Sequence, residues 1–297
     1  MPSFILPVFK MPFETRINPH CEAVRERTRQ WAISTGLVRG ESALKHLERA
    51  DFTTLFSRAY PTAGEDRLWL IDIFNLFFFV FDDQFDDARL GHNADVSRRI
   101  LDRFHYLLAL DWRDYPPPAN AVERAWHDFL GHIQGLTSPA WRRRFLAALV
   151  DYLHCLRRQI DLRIRNRTPD LLAYMELRRS SDGMSIELPL IEFANQAPLP
   201  AAFRRSQLAR TLADASNDVI GLTNDIFSYG KETAFGEVNN GVTVCRHLLQ
   251  TGVQEAVDFL NALITSRLET FLHARAALPA ALMELGTNAT EHDAIQR

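Results

Sequence analysis

An all-α fold is predicted by three features of the 297-residue chain. Apolar residues recur at three- and four-residue steps over most of its length, no segment shows the two-residue alternation of a half-buried strand, and no GxGxxG element occurs. No repeat of solenoid period and no composition shift marks a linker, so a single domain over 1–297 is expected, with roughly ten helices, more than a four-helix bundle holds. A composition of 46% hydrophobic and 24% charged residues is enough for a large core.

The elements follow in order. The segment up to about Asn18 reads as an extended strap, pinned by Pro2, Pro7 and Pro12. A helix is expected over 19–37, with Val24, Trp31 and Leu37 on its apolar side and Gly36 and Gly40 at its end; a second over 41–58 carries Leu44, Leu47, Phe52 and Phe56. Pro61 and Gly64 break it. An aromatic helix is expected over 66–87, then helices over 95–110, 121–136 and 139–167, with Pro116, Pro117 and Pro118 as a loop between the first two of these. Pro169 opens the next helix, which is interrupted near Asp182-Gly183. A long helix from 201 to beyond 229 and two more over 243–249 and 253–277 complete the pattern.

The bulk numbers also exclude. A formal net charge of −3 advertises no basic face for nucleic acid or anionic lipid. Cys21, Cys155 and Cys245 are odd in number and form no CxxC pair, which argues against a disulfide scaffold or zinc ribbon and for a reducing cytoplasm. The first 13 residues lack a basic segment followed by a continuous apolar core, so no signal peptide is expected. The apolar run 68–81 contains Asp72 and Asn75 and is shorter than the ~20 residues a bilayer takes, so no stable membrane insertion is expected.

Two stretches carry chemistry. The aromatic helix ends in Asp82, Asp83, Asp86 and Asp87. Carboxylates at a helix C-terminus oppose the macrodipole, and beside apolar surface they lose hydration, so a cation should offset them. Asp82 and Asp86 lie one turn apart on one face, a hard-oxygen pair suited to Mg²⁺. The plain alternative is a solvated helix end beside an ordinary aromatic core. The second stretch is Asn224-Asp225-Ile226-Phe227-Ser228-Tyr229-Gly230-Lys231-Glu232. Asn224, Ser228 and Glu232 stand at i, i+4 and i+8 on one stripe about 12 Å long, and the glutamate can lean back toward the helix N-terminus. Amide, hydroxyl and carboxylate oxygens make a second hard-oxygen site, or else three polar residues on a solvent face.

The pair, a DDxxD followed by an NDxxSxxxE on another helix, resembles the metal motifs of class I terpene synthases of the bacterial type. The stretches 13–19, Trp31-Ala32 with Gly36-Leu37, and 58–63 are similar to that family too. The resemblance implies a single helical bundle around a deep central cavity, and a substrate that is a linear isoprenyl diphosphate, farnesyl diphosphate being the commonest. It implies three Mg²⁺ ions, with Asp82 and Asp86 on one side and Asn224, Ser228 and Glu232 on the other. Asp83 would orient an arginine, and Asp87 has no assigned role. Within Arg178-Arg179-Ser180-Ser181-Asp182-Gly183, the family's i, i+3, i+4 spacing selects Arg179 as diphosphate sensor with Asp182 and Gly183 as linker and effector, Arg178 being the alternative. A forked guanidinium suits that role. Lys231 matches a diphosphate-contacting lysine. Phe74 and Phe78, with Phe52 and Phe56, are candidates for a wall of unreactive rings around a carbocation.

One departure is visible: the chain contains no Arg-Tyr dipeptide, whereas the family closes its site with one, so the end of the domain is expected to be incomplete or closure differently arranged. A cyclic sesquiterpene hydrocarbon or alcohol is the expected product, from a monomer or homodimer. A mono- or diterpene synthase, a prenyl-chain-elongating synthase and a non-catalytic helical module that binds metal or anion are the alternatives. The elongating enzymes carry two DDxxD-like motifs, while the second motif here is of the asparagine–serine–glutamate kind.

Overall fold

The computed structural model describes residues 4–86 and 93–296, without the side chain of Asp86. Among them are fifteen α-helices and no strand. In chain order these are α1 (Cys21–Ser34), α2 (Glu41–Ala50), α3 (Phe52–Ala59), α4 (Glu65–Asp86), α5 (Ala94–Ala109), α6 (Ala121–Ile133), α7 (Pro139–Ile164), α8 (Leu171–Ser181), α9 (Met184–Asn195), α10 (Ala201–Arg204), α11 (Gln207–Ala234), α12 (Gly241–Leu249), α13 (Val253–Ala276), α14 (Leu278–Glu284) and α15 (Ala289–Gln296).

Two expected helices are split, and each split has a local cause. Asp51 takes a left-handed conformation, φ 50°, which ends α2; its carboxylate accepts the Thr54 N–H and starts α3. Ser206 caps the Ala209 N–H and separates α10 from α11. Pro169 is not in the first turn of α8 after all. Asp170 follows it and is the N-cap, accepting from Ala173 N at 2.9 Å. No helix forms over residues 4–18, in keeping with the expected strap, and the segment lies against α11: Phe9 stacks on Phe227 at 5.6 Å, and Phe4 meets the Tyr229 ring edge-on.

Burial sorts the helices into two apolar clusters. The larger joins α1 and α3–α7 to α9 around Phe74, Phe77, Phe81, Trp126, Phe129 and Phe145. Its rings interlock, Phe74 with Phe145 at 5.0 Å and Phe77 with Trp126 at 5.5 Å. Each such ring contributes about 1.5–3 kcal/mol by burial. The second cluster joins α8, α11, α12 and α13 through Tyr174, Leu222, Ile226, Tyr229, Leu260 and Ile264. Where α8 and α11 face each other, the buried residues turn polar: Asn217, Asp218 and Asp225 are each at most 4% exposed. This polar seam between two apolar clusters positions the chemistry.

Candidate active site

The acidic end of α4 has no basic residue in its last turn, so the macrodipole and the carboxylates repel. Helix α7 supplies the offset. The Tyr152 hydroxyl donates to Asp82 Oδ1, and Arg163 Nη1 donates to the Phe85 carbonyl at 2.6 Å while its guanidinium pairs with Glu237. Tyr152 and Arg163 are eleven residues apart, about three turns, and so share one face of α7. Asp83 is exposed and has no ion-pair partner among the described residues, so the arginine it was expected to orient is not seen on it. The Asp86 side chain and Asp87 lie outside the described residues.

Across the seam, the α11 stripe is held by its neighbours. Arg178 Nη2 donates to Asn224 Oδ1 at 2.9 Å and lies 3.1 Å from Asp225 Oδ1. Asp225, 1% exposed, also accepts from the Tyr174 hydroxyl and from Gly241 N at 3.0 Å. Burial pushes its carboxyl up to about 6 even though Arg178 opposes the shift. Burial works to lower Arg178, but Asp225, Tyr174, Asp182 and Glu232 outweigh it, so the guanidinium stays charged. Asn240 Nδ2 donates to Glu232 Oε2 at 3.0 Å and to the Asp225 carbonyl at 2.9 Å, while its own Oδ1 caps α12. Ser228 Oγ is buried with no hydrogen-bond partner among the described residues.

The structure separates the two candidate sensors: Arg178 is the one that faces Asn224. One residue later on α8, about 100° around the helix, Arg179 grips Asp218 with Nε and Nη2, both at 2.7 Å. Arg267 lies 2.6 Å from the same carboxylate, and Asp214 is 3.8 Å from Arg179. That bidentate pair directs Arg179 away from Asn224.

The expected helix break is present. Gly183 has φ 81°, and a Cβ there would lie 2.9 Å from the Phe78 ring, so glycine permits both the turn and the close approach. Asp182 Oδ1 accepts from Met184 N at 2.9 Å, but Oδ2 is buried without a hydrogen-bond partner among the described residues, and burial raises this carboxyl to about 7 against the pull of Arg178. Gly221 lets it fit: a Cβ there would stand 3.0 Å from Asp182 Oδ2. A chain of contacts thus runs from Phe78 on α4 through Gly183, Asp182 and Gly221 to Arg178 and Asn224. Lys231, with Arg163, Glu232, Phe235 and Glu237, lines a small cleft beside the stripe.

The wall candidates separate. Phe74 is 0% exposed and packs against Phe78, Phe129 and Phe145. Phe78 keeps some exposure and lies 4.7 Å from the Tyr152 ring, next to the Asp82 partner. Phe52 stacks on Phe79 at 4.2 Å, and Phe56 tilts toward it at 6.2 Å. A surface cleft of about 470 Å³ at the α1–α2 turn, lined by Gly36, Arg39, Leu44 and Arg124 among others, includes no residue of either motif and is not where the chemistry sits.

A Mg²⁺ site is tested by the donors. Among the described residues no three His, Cys, Asp or Glu side chains converge. The α11 set is instead a mixed one of amide, hydroxyl and carboxylate oxygens, all hard donors, and the orphaned Ser228 hydroxyl is a buried oxygen with an unused lone pair. The residues fit the ion. Sequence reasoning missed Tyr152, Arg163, Tyr174 and Asn240. Tyr174, one turn before Arg178, and Asn240, in the Asn-Asn-Gly turn, were the signals available.

Residues 74–270 match the family model for terpene synthase family 2, C-terminal metal binding. The chain belongs to that family. This terpene synthase is 32% identical over 288 residues to pristinol synthase of Streptomyces pristinaespiralis, spanning 96% of this chain and 77% of that one. It is 28% identical over 294 residues to 7-epi-alpha-eudesmol synthase, described as (2E,6E)-farnesyl diphosphate cyclizing, of Streptomyces viridochromogenes, spanning 97% and 84%. Its fold matches the crystal structure of a-eudesmol synthase with a TM-score of 0.87 at 25% identity, covering 98% of this chain and 93% of that one. The terpene synthase is therefore an enzyme of the class I helical fold, which sets aside the non-catalytic module. No helix among its described residues is long and apolar enough to cross a membrane.

Proposed function

We propose that this terpene synthase ionises farnesyl diphosphate with Mg²⁺ and cyclises the resulting cation to a sesquiterpene, acting in the cytoplasm. The observation that carries the reading is Arg178 standing on Asn224 and Asp225, with the Ser228 hydroxyl one turn further along α11 buried and without a hydrogen-bond partner among the described residues. A relative named for cyclising (2E,6E)-farnesyl diphosphate over nearly the whole chain supports the C15 substrate. In this reading Asp82 and Asp86 would hold one part of a three-ion set, and Asn224, Ser228 and Glu232 the other. When bound, the ions supply positive charge that neutralises the diphosphate leaving group.

The rest is done by the chain. Tyr152 fixes the Asp82 carboxylate, so its oxygens are oriented before substrate arrives. Arg178 and Lys231 donate to leaving-group oxygens, and such preorganised donors stabilise charge as it develops. Asp225 and Tyr174 hold Arg178 in place. Phe78 offers the cation a ring face that water and nucleophiles do not share, worth about 0.5–2 kcal/mol. The carboxylates act here as electrostatic ligands for the diphosphate end. Incubation with C10, C15 and C20 diphosphates and Mg²⁺, followed by gas chromatography–mass spectrometry, tests the reading. A cyclic C15 product from farnesyl diphosphate is expected; a longer prenyl diphosphate, or no C15 product, would defeat it.

A further inference from the structure

One buried carboxyl has no part in binding the diphosphate. Glu187 lies on α9 four residues after Gly183, one turn further along the same face, and is 9% exposed. The Tyr60 hydroxyl donates to its Oε2, and the Asn75 side chain, whose Nδ2 donates to the Ile71 carbonyl at 3.0 Å, lies beside it. Gly183 meets Phe78 and Glu187 meets Asn75, so α9 runs antiparallel to α4 and leads inward from the acidic end. Asn75 precedes Asp82 by seven residues, which puts Glu187 about 10 Å deeper than the carboxylates, with Phe78 between them.

An acid in this position needs a reason. Its neighbours on α9, Ile186 and Leu190, belong to the larger apolar cluster, as does Tyr60. No ion pair to Glu187 occurs among the described residues; the Tyr60 phenol is its hydrogen-bond partner, with the Asn75 amide nearby. Tying α3, α4 and α9 together would require only neutral groups, which are cheaper to bury than a carboxylate. Burial raises the carboxyl to about 7, and Tyr60, with Asn75 beside it, holds it from rising further, so both protonation states are accessible at neutral pH.

We propose that Glu187 is the proton acceptor of the cyclisation, and that it selects which C–H bond is lost. The proposal rests on the chain cyclising a prenyl diphosphate. The C–H bond next to the cationic carbon breaks, and its electron pair becomes the π bond of the new alkene. The proton goes to a carboxylate oxygen of Glu187 and passes to water when the site opens for product release. No further reagent is needed. Tyr60 is a positioning residue, since its hydrogen bond sets the plane of the acceptor carboxylate.

The test uses the full chain with farnesyl diphosphate and Mg²⁺, reading diphosphate release and product ratios together for the wild type, Glu187→Gln, Glu187→Asp and Tyr60→Phe. Ionisation happens at the other end, so Glu187→Gln should keep diphosphate release within about tenfold while the main product gives way to another alkene isomer or a water-captured alcohol. Glu187→Asp should restore part of the original ratio, and Tyr60→Phe should shift it less than Glu187→Gln. Unchanged product ratios in Glu187→Gln, at any rate, would overturn the proposal and leave a structural tie. If circular dichroism shows Glu187→Gln unfolded, unchanged ratios in both other variants overturn it. A wild type whose sole product is a saturated-centre alcohol formed with no C–H loss overturns it too. A wild type that makes no cyclic C15 product refutes the proposed function itself, a different result.

Discussion

Neighbouring arginines with different neighbours give a sharp comparison. Arg178→Ala removes the cation from beside Asp225, which is 1% exposed, and from Asp182, whose Oδ2 already lacks a partner. Breaking a buried pair by deleting one partner costs about 3–5 kcal/mol. Asp225 keeps the Tyr174 hydroxyl and the Gly241 N–H as donors, so the lower end, about 3 kcal/mol, is expected, or roughly 6 °C in melting temperature. Arg179→Ala leaves Asp218 with Arg267 at 2.6 Å, so its cost should be about 1–2 kcal/mol. The catalytic contrast is larger. Loss of one preorganised donor at the leaving group costs about 10²–10³ in kcat, whereas Arg179→Ala should lose less than about tenfold. Arg178→Lys should fall between, keeping the charge and losing the fork. Diphosphate release at saturating farnesyl diphosphate and Mg²⁺, measured at 20 °C beside thermal melts on the same preparations, decides. Equal losses for the two alanine variants, or a larger loss for Arg179→Ala, would refute the assignment of Arg178 and the contacts it rests on.

Three further outcomes are expected. Ser228→Ala removes a buried hydroxyl with no partner, so it should stabilise the fold by about 1 kcal/mol while raising the Mg²⁺ concentration for half-maximal activity by about tenfold or more; an unchanged Mg²⁺ requirement would contradict its role as a ligand. Gly183→Ala meets both a φ of 81° and the Phe78 ring 2.9 Å away, so it should cost about 1–3 kcal/mol in a urea melt and alter product ratios; a neutral melt would contradict the close approach. Asp72 is buried under the Thr28 and Thr53 hydroxyls, and burial raises its carboxyl to about 6 from the ordinary 3.8. A raised carboxyl favours the folded state most below about pH 4 and loses that advantage as pH rises through about 6, a change of roughly 3 kcal/mol. Asp72→Asn should therefore gain on the wild type by about that amount between pH 4 and pH 7 in urea melts, and parallel pH curves would count against it.

What could be read in the chain was what depends on neighbours in sequence. The i, i+4, i+8 spacing of Asn224, Ser228 and Glu232 survives whatever the helix packs against, and so does the Asp82 turn at the end of an aromatic run. The α8–α9 break was visible for the same reason, because glycine at φ 81° acts locally. Helix boundaries at Asp51 and Ser206 were hidden because the apolar spacing continues across them, and a single cap interrupts it. The arginines fell beyond sequence reasoning for a geometric reason. Asp218 and Asp225 are seven residues apart on α11, about 20° from the same azimuth, so the sequence offers a buried carboxylate to each of two adjacent arginines. Which arginine takes which depends on how α8 leans against α11, and that is set by Gly221 admitting Asp182 and by Arg267 reaching Asp218 from α13. Tyr152 and Arg163 were hidden differently: within the long α7 pattern, Tyr152 counts as one more apolar position and Arg163 as one more surface charge. Yet the opposition between the α4 macrodipole and its terminal aspartates required a cation from some other element, and the guanidinium on the Phe85 carbonyl meets that requirement before any metal is considered.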